Sequence, residues 1–279
     1  MTVDLHIHTT CSDGLRTPEQ TVEEAIRKGM RAIAITDHDI TTGIDAAQKF
    51  ALTYGSEGNS LEIISGVEIN CYDDHEETHV LGYWIDVQSE VLQTKLAQIR
   101  IAREERVAKI IAKLQALRYE ITYEQIYNMA HPGSIGRPHI ARFLVRKGYF
   151  RSTAEAFDKL LSEGGKAYVE RYKTSPVEAI QVILQAGGLP VIAHPGIYKQ
   201  EVQWQRLIDH GLVGVEVYHT KHDFQDIKKY EAIAEHYQLL KTGGSDCHGI
   251  GSSSLLGTVD VPSDVVEHLK KRRFGGKLL

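Results

Sequence analysis

The amino-acid sequence predicts an α/β fold, either a parallel sheet or an α/β barrel, with a helical insertion. Three observations support this prediction. Short apolar runs rich in β-branched residues recur along the chain, helical segments separate several of them, and one long stretch contains no such run. Alternating strands and helices are typical of parallel sheets and α/β barrels, because the helices that connect successive strands cover the sheet.

The apolar runs have the length expected of strands that are buried on both faces. Several of them end in histidine or carboxylate residues. The predicted strands cover residues 3–9, 31–37, 61–70, 78–85, 189–194, 213–219 and 239–246.

Helices are predicted between several of these strands. Residues 17–28 begin with a Thr-Pro pair and residues 175–186 begin with a Ser-Pro pair. In each pair the hydroxyl residue suits the N-cap and the proline suits the first turn. A further helix is predicted over residues 221–237.

The middle of the chain departs from this alternation, because no strand-like run occurs there until near Tyr168. We expect residues 1–87 and 174–279 to form a barrel. Residues 88–173 are expected to form a helical insertion, or cap. Its predicted helices cover residues 89–117, 122–129, 138–147 and 153–161.

The composition is that of an ordinary globular protein. The chain has 279 residues, of which 42% are hydrophobic and 25% charged, and its formal net charge is −5. A negative surface does not attract long nucleic acids, so duplex DNA is not an expected partner. The chain has no apolar run of membrane-spanning length and no signal-peptide pattern, so we expect a cytoplasmic protein with no membrane partner.

Histidines and carboxylates recur where the predicted strands end. Side chains alternate across a strand, so His6 and His8 share one face of the first strand. In α/β barrels the carboxyl ends of the strands form the active-site face. Imidazoles and carboxylates without paired thiolates suit zinc, manganese or iron. The other residues of these types are Asp37, His38, Asp39, Glu68, His194, Asp246 and His248 at the strand ends, and His79 within the fourth predicted strand.

Short motifs follow one another along most of the chain. They are DLHIHT at 4–9, SDG at 12–14, TDHD at 36–39, GVE at 66–68, AHP at 193–195 and GSDCHG at 244–249. Together they resemble the motifs of the polymerase-and-histidinol-phosphatase (PHP) superfamily. The resemblance implies a distorted (β/α)7 barrel with a trinuclear metal centre, and therefore three divalent metal ions as cofactors.

The resemblance also implies which residues hold each ion, with Glu68 as a bridge between two of them. Manganese is the predicted metal because it accepts both carboxylates and imidazoles, while iron and zinc stay open. The implied sets are His6, His8, Glu68 and Asp246 for the first ion, Glu68, His79 and His194 for the second, and Asp13, His38 and His248 for the third.

Asp37, His194 and Glu68 are the predicted catalytic residues. Close cations activate water and neutralise charge on a phosphoryl group, and Glu68 has two oxygens with which to bridge them. Two interpretations of Asp37 stand side by side. It either orients His38 or handles a proton, or it is a buried hydrogen-bond acceptor at a strand end. Asp4 is expected to support the site rather than bind metal.

The insertion carries most of the candidate substrate-binding residues. Residues 136–142 place a proline at a helix start, where free N–H groups favour anions. Arg137 and His139 are predicted to contact a second phosphate of the substrate, whereas Arg142 is predicted to lie on a solvated face. The remaining predicted substrate contacts are Lys166, Tyr168 and His219.

The insertion, with its Gly-Arg-Pro-His segment, resembles the PHP branch that hydrolyses nucleoside 3′,5′-bisphosphates and trims short RNA from the 5′ end. The resemblance implies attack of a metal-activated hydroxide that yields a nucleoside 5′-monophosphate and phosphate. The expected partner is a small nucleotide or a short RNA. Three alternatives remain: a histidinol-phosphate phosphatase, a catalytically silent PHP module, and a hydrolase of another ester or amide. Base preference and oligomeric state stay open.

Overall fold

The strands of this protein form a nearly closed α/β barrel. The computed structural model describes residues 2–54, 61–73, 76–130, 134–170, 172–249 and 255–275. Each strand of the seven-stranded sheet pairs with its neighbours in chain order, and each overlaps a predicted strand, which confirms the predicted fold class. The strands are β1 (Val3–Ile7), β2 (Ala32–Ile35), β3 (Glu62–Asp73), β4 (Glu76–Tyr83), β5 (Leu189–Ile192), β6 (Gly214–His219) and β7 (Leu240–Gly244).

The first strand and the chain just after the last strand close the barrel. Ile7 pairs with Cys247 in a parallel bridge. The buried Asp4 accepts hydrogen bonds from the backbone N–H of Ser245 at 2.8 Å and of Gly257 at 2.9 Å. Asp4 therefore joins β1 to the carboxyl-terminal segment, and its carboxylate supports the barrel from below the site.

One strand runs against the direction that strand–helix alternation predicts. β4 is antiparallel to both β3 and β5. β3 ends at Asp73 and β4 begins at Glu76, and this interval is too short for the crossover that parallel strands require. The beginning of β4, which carries His79, therefore lies at the same barrel end as the carboxyl ends of the parallel strands.

The helices surround this sheet. Thr17 and Ser175 each cap a helix start, as their Thr-Pro and Ser-Pro pairs predict: the cap side chain accepts a hydrogen bond from the backbone N–H of the third helical residue, whose side chain accepts one from the backbone N–H of the cap residue. Among the described residues, no helix is both long and apolar enough to cross a membrane. The described helices are α1 (Pro18–Arg27), α2 (Thr42–Tyr54), α3 (Glu90–Ala116), α4 (Tyr123–Ala130), α5 (Arg137–Arg146), α6 (Thr153–Ala156), α7 (Pro176–Gln185), α8 (Trp204–Asp209), α9 (Phe224–Tyr237) and α10 (Val265–Phe274), with a π-helical turn at Phe157–Leu161.

The helices α3 to α6 lie between β4 and β5 and have a hydrophobic core of their own. Val107, Ile110 and Leu114 of α3 pack in this core. The first half of α3 is different, because Leu92 and Leu96 pack in the core of the barrel. The long helix therefore spans both cores and ties the inserted helices to the barrel.

Three arginines fasten these helices to loops at the carboxyl end of the barrel. Arg103 forms an ion pair with the buried Asp39 at 2.9 Å, and Arg100 donates to the Asp39 carbonyl at 3.0 Å. Arg142 of α5 donates to the Asp13 carbonyl at 2.8 Å. The prediction that Arg142 lies on a solvated face is therefore wrong, because its guanidinium binds the loop after β1.

Candidate metal centre

The predicted metal-ligating side chains meet at the carboxyl end of the barrel. β1, β3 and β4 contribute residues from within the strands, and the loops after β1, β2, β5 and β7 contribute the others. Contacts between their nitrogen and oxygen atoms link all of them into one cluster. These residues are His6, His8, Asp13, His38, Glu68, His79, His194, Asp246 and His248.

Glu68 lies at the centre of this cluster and is fully buried. Its Oε1 is 2.7 Å from His79 Nδ1 and 3.0 Å from His194 Nε2. Its Oε2 is 2.9 Å from His38 Nδ1 and 3.2 Å from His8 Nε2. The two oxygens of one carboxylate thus face different groups of imidazoles, which is the arrangement needed by a bridging ligand.

Asp246 and Asp13 extend the cluster on either side of His8. Asp246 Oδ1 lies 3.1 Å from His8 Nε2 and 3.6 Å from His6 Nε2. Asp13 Oδ1 lies 3.1 Å from His248 Nε2, and the ring of His248 stacks on that of His8 with centroids 4.2 Å apart. His8 is therefore close to both carboxylates.

The donor atoms fit bound divalent cations. Ligand atoms within each group of the cluster lie within 4.8 Å of one another, which is close to the roughly 4.4 Å that two opposite bonds of about 2.2 Å to a shared ion span. A buried polar atom that lacks a hydrogen bond costs roughly 1–3 kcal/mol, and a cation removes that cost. Within the described chain, the buried side-chain atoms of the cluster that make no hydrogen bond are His6 Nε2, His8 Nε2, Asp13 Oδ1, Glu68 Oε2, His79 Nε2 and His194 Nδ1.

The electrostatics keep the carboxylates ionised despite their burial. Burial opposes the charge of Glu68, but the surrounding histidines, His79 first, hold its pKa well below the ordinary value. Burial also lowers the pKa of His248, but the Asp13 carboxylate raises it more, to about 10. In the same way Glu68 overcomes burial and raises the pKa of His79 to about 9. The metal-free cluster thus balances its carboxylates with imidazolium charge, which bound cations would replace.

Glu216 of β6 is a functional residue that the sequence analysis missed. It is completely buried, and its Oε1 lies 3.0 Å from His6 Nδ1. Its Oε2 accepts a hydrogen bond at 2.7 Å from the backbone N–H of His194, whose φ of 27° lies in the left-handed region. A carboxylate on Nδ1 leaves the Nε2 lone pair of His6 for a metal. The sequence feature that could have identified Glu216 is its place as an acidic residue within an apolar, strand-like run.

His219 joins the same group of ligand-type residues. The register of β6 shifts between Glu216 and Tyr218, a bulge that turns both Glu216 and His219 toward the cluster. His219 Nε2 lies 3.6 Å from Asp246 Oδ2. The structure thus places His219, a predicted substrate contact, beside the metal-type ligands.

Asp37, one of the predicted catalytic residues, binds the loop after β1. Its carboxylate accepts hydrogen bonds from the Thr9 backbone N–H at 2.7 Å, from the Thr9 hydroxyl at 2.7 Å and from the Ser12 hydroxyl. These contacts are those of the buried acceptor, the second interpretation given above. They hold the loop that carries Asp13.

A cavity with a volume of about 120 Å³ opens beside the cluster. Asp13, His38 and His79 of the cluster line it together with Arg103 and Arg137 of the inserted helices. We call this space the first cavity. Arginines and candidate metal ligands thus border the same space.

Arg137 has fixed partners in this wall. Its guanidinium donates to Glu77 Oε2 at 2.9 Å and to the Leu161 carbonyl at 3.3 Å, and it lies over the Phe157 ring at 5.6 Å. Because these partners hold the side chain in place, the guanidinium is already oriented toward the cavity that it lines.

The other predicted substrate contacts are placed differently. His139 is buried, and its Nδ1 accepts a hydrogen bond from the Gly136 N–H at 3.2 Å. Burial, assisted by the charge of Arg142, lowers the His139 pKa to about 4, so its side chain is neutral at pH 7, and it is not among the described residues that line either cavity. Tyr168 lines a second cavity next to the first. Lys166 is exposed and is not among the described residues that line either cavity.

Comparison with known proteins agrees with this geometry. The family model of the PHP domain matches residues 4–171. The chain belongs to the PHP domain family. The PHP motifs named above and the barrel-end cluster thus describe the same site.

Relatives of this PHP-domain protein include enzymes of phosphate ester chemistry. The 5′-3′ exoribonuclease Rnm of Salmonella typhimurium is 35% identical over 250 residues, which cover 88% of this chain and 84% of the relative. The 3′,5′-nucleoside bisphosphate phosphatase of Chromobacterium violaceum is 32% identical over 268 residues, 93% of this chain and 92% of the relative. A solved candidate metal-dependent phosphoesterase from Bifidobacterium adolescentis superposes with a TM-score of 0.89 at 32% identity, covering 97% of this chain and 96% of that one.

Replacing Glu216 by glutamine is expected to weaken divalent metal binding by about 10–100-fold. An amide offers one oxygen where both the His6 ring and the His194 N–H need an acceptor. Calorimetric titration of the metal-free protein with Mn²⁺ measures the change. Glu231→Gln removes a carboxylate that binds the Tyr218 hydroxyl at 2.8 Å, outside the cluster, and should leave the affinity unchanged. Equal affinities in both variants would contradict the role of Glu216.

Replacing His139 by asparagine is expected to reduce the loss of stability at acid pH. The His139 pKa is about 4 in the fold and about 6.5 when unfolded, so falling pH protonates the unfolded state first and favours unfolding. Protonation of His139 should therefore remove at most about 3 kcal/mol of unfolding free energy as the pH falls from about 6.5 to about 4. Urea unfolding at several pH values measures it, with exposed His236→Asn as control. Parallel curves for wild type and His139→Asn would refute the prediction.

Proposed function

We propose that this protein is a metal-dependent phosphoesterase that removes the 3′-phosphate of nucleoside 3′,5′-bisphosphates to give nucleoside 5′-monophosphates. It also trims short 5′-phosphorylated RNA from the 5′ end. One observation carries the proposal: members of the ligand cluster around Glu68 line a cavity that Arg103 and Arg137 also line. The phosphatase and exoribonuclease names of the two relatives support the same substrate class.

The cluster would hold three divalent ions, with manganese as the proposed metal and iron or zinc as alternatives. When bound, these ions would supply an activated water and neutralise charge on the phosphoryl oxygens. His8 stands between two of the proposed sets, since it contacts Asp246 and groups with Asp13. The proposed sets are His6, His8, Glu68 and Asp246, then Glu68, His79 and His194, then Asp13, His38 and His248.

The protein's own residues prepare this site. Glu68 faces both sides of the cluster with its two oxygens, and Glu216 orients His6 and the His194 backbone. Asp37 fixes the loop that presents Asp13. These contacts would position the ligands before a substrate enters.

The inserted residues 88–173 would act as the substrate-binding cap over the barrel. Arg137 would anchor the phosphate that is not cleaved, because it lines the first cavity together with His79 and His38. Arg103 adds positive charge to the same wall, although it is paired with Asp39. An anion held there presents its other phosphate to the cluster.

A parallel assay tests the proposed function. Adenosine 3′,5′-bisphosphate, short 5′-phosphorylated RNA and histidinol phosphate are each incubated with the Mn²⁺-loaded protein, and product release is measured. The first two should be hydrolysed much faster than the third, and metal chelation should abolish all activity. Glu68→Gln should remove both metal binding and hydrolysis. Preferential hydrolysis of histidinol phosphate, or activity that survives chelation, would overturn the proposal.

Replacing Arg137 by alanine is expected to raise KM for adenosine 3′,5′-bisphosphate by at least about tenfold, since hydrogen bonds to charged groups contribute about 1.5–3 kcal/mol. KM for an aryl phosphate, which has no second phosphate, should change much less. Steady-state kinetics on both substrates measures the contrast. Arg146→Ala, at the exposed far end of α5, is the matched control. Equal effects of Arg137→Ala on both substrates would count against an anchor.

A further inference from the structure

A second cavity adjoins the first on the side away from the metal-type ligands. Its volume is about 360 Å³, which lies within the range of roughly 300–1,000 Å³ that is usual for small-molecule sites. The two cavities share Glu77, Arg106, Arg137 and Phe157, so the anchor arginine forms part of both walls. A substrate held at Arg137 can therefore extend into the second cavity.

Aromatic rings from different parts of the fold line this second cavity. Tyr72 belongs to β3 of the barrel, whereas Phe157 and Tyr168 belong to the inserted segment. The guanidinium of Arg106 lies over the Tyr168 ring at 5.7 Å. Aromatic and guanidinium planes are the surfaces on which nucleobases stack without regard to sequence.

The charges of the second cavity balance. Three cationic side chains, Arg106, Arg137 and Lys199, stand with three acidic ones, Glu76, Glu77 and Glu163. Glu77 pairs with Arg137 at 2.9 Å, and Glu76 accepts a hydrogen bond from the backbone N–H of Gln200 at 2.7 Å. Such a lining gives a phosphate little net attraction but accepts an uncharged group that stacks and forms hydrogen bonds.

We infer that the second cavity binds the nucleobase of the substrate, while the first cavity holds the ribose and the phosphates. This inference rests on the proposed function and deepens it. The base would stack on Tyr168, and the side chains of Ser162 and Gln200, which also line the cavity, would contact its polar edge. The enzyme then distinguishes a nucleotide from a sugar bisphosphate by a site that does not touch the reacting atoms.

The test compares adenosine 3′,5′-bisphosphate with 1,4-anhydroribitol 3,5-bisphosphate, which is the same molecule without its base. Tyr168→Ala should raise KM for the nucleotide by about tenfold, because stacking of a base on an aromatic ring changes affinity by roughly 5- to 150-fold. KM for the base-free compound should stay at its wild-type value. Tyr168→Phe keeps the ring and should restore most of the affinity that Tyr168→Ala loses. Tyr72→Ala tests the barrel side of the cavity in the same way.

Tyr127→Ala is the matched control, since Tyr127 is a partly exposed tyrosine of α4 outside the residues lining this cavity. It should leave both KM values unchanged. Equal losses on both substrates in Tyr168→Ala and Tyr72→Ala would overturn the base site while leaving the phosphatase assignment intact. A loss confined to oligonucleotides would also overturn it, by assigning the cavity to a downstream nucleotide. Failure of the proposed function is a separate result, seen as no hydrolysis of either bisphosphate by the wild type.

Discussion

The buried carboxylate of Glu68 is the constraint on which the rest of the site depends. Removing an isolated carboxylate from water costs several kcal/mol, so its charge has to be matched where it lies. His79, His194, His38 and His8 surround its two oxygens at 2.7–3.2 Å and do so from different strands and loops. Only a sheet that curves back on itself can bring these imidazoles to one point. Metal binding and barrel closure are thus two consequences of one arrangement.

Other buried carboxylates connect separate segments of the chain around the barrel and its site. Asp4 joins β1 to the carboxyl-terminal segment, Asp37 holds the loop after β1, and Asp39 binds Arg103 of the inserted helices. Each satisfies its oxygens with donors from a distant part of the chain, which offsets the cost of burial. Glu216 does the same for His6 and for the strained turn at His194. The site is therefore rigid before any ligand arrives.

The two cavities beside the inserted helices differ in the charge of the residues that line them. Arginines and candidate metal ligands line the first cavity together, which suits a group with phosphates at both ends. The second cavity has aromatic rings and balanced charge, which suits an uncharged planar group. Arg137 stands at the boundary, held by Glu77. Because α3 packs in both cores, it joins the insertion to the barrel, and under the proposed function this arrangement would select the phosphoester that fits.

The sequence by itself determined where the strands and most of the helices lie, because apolar period and helix caps are local properties, and its resemblance to the PHP motifs supplied the full set of candidate ligands. It also indicated the insertion, through the absence of strand-like runs. Only the tertiary structure decided the direction of β4, the place of Glu216 and the neutral state of His139. The direction of a strand depends on the strands with which it pairs, and the pKa of a side chain depends on its burial. The role of an acidic residue in an apolar run depends on the groups that it contacts. The sequence suggested a solvated side chain for Arg142, whereas in the fold its guanidinium donates to the Asp13 carbonyl.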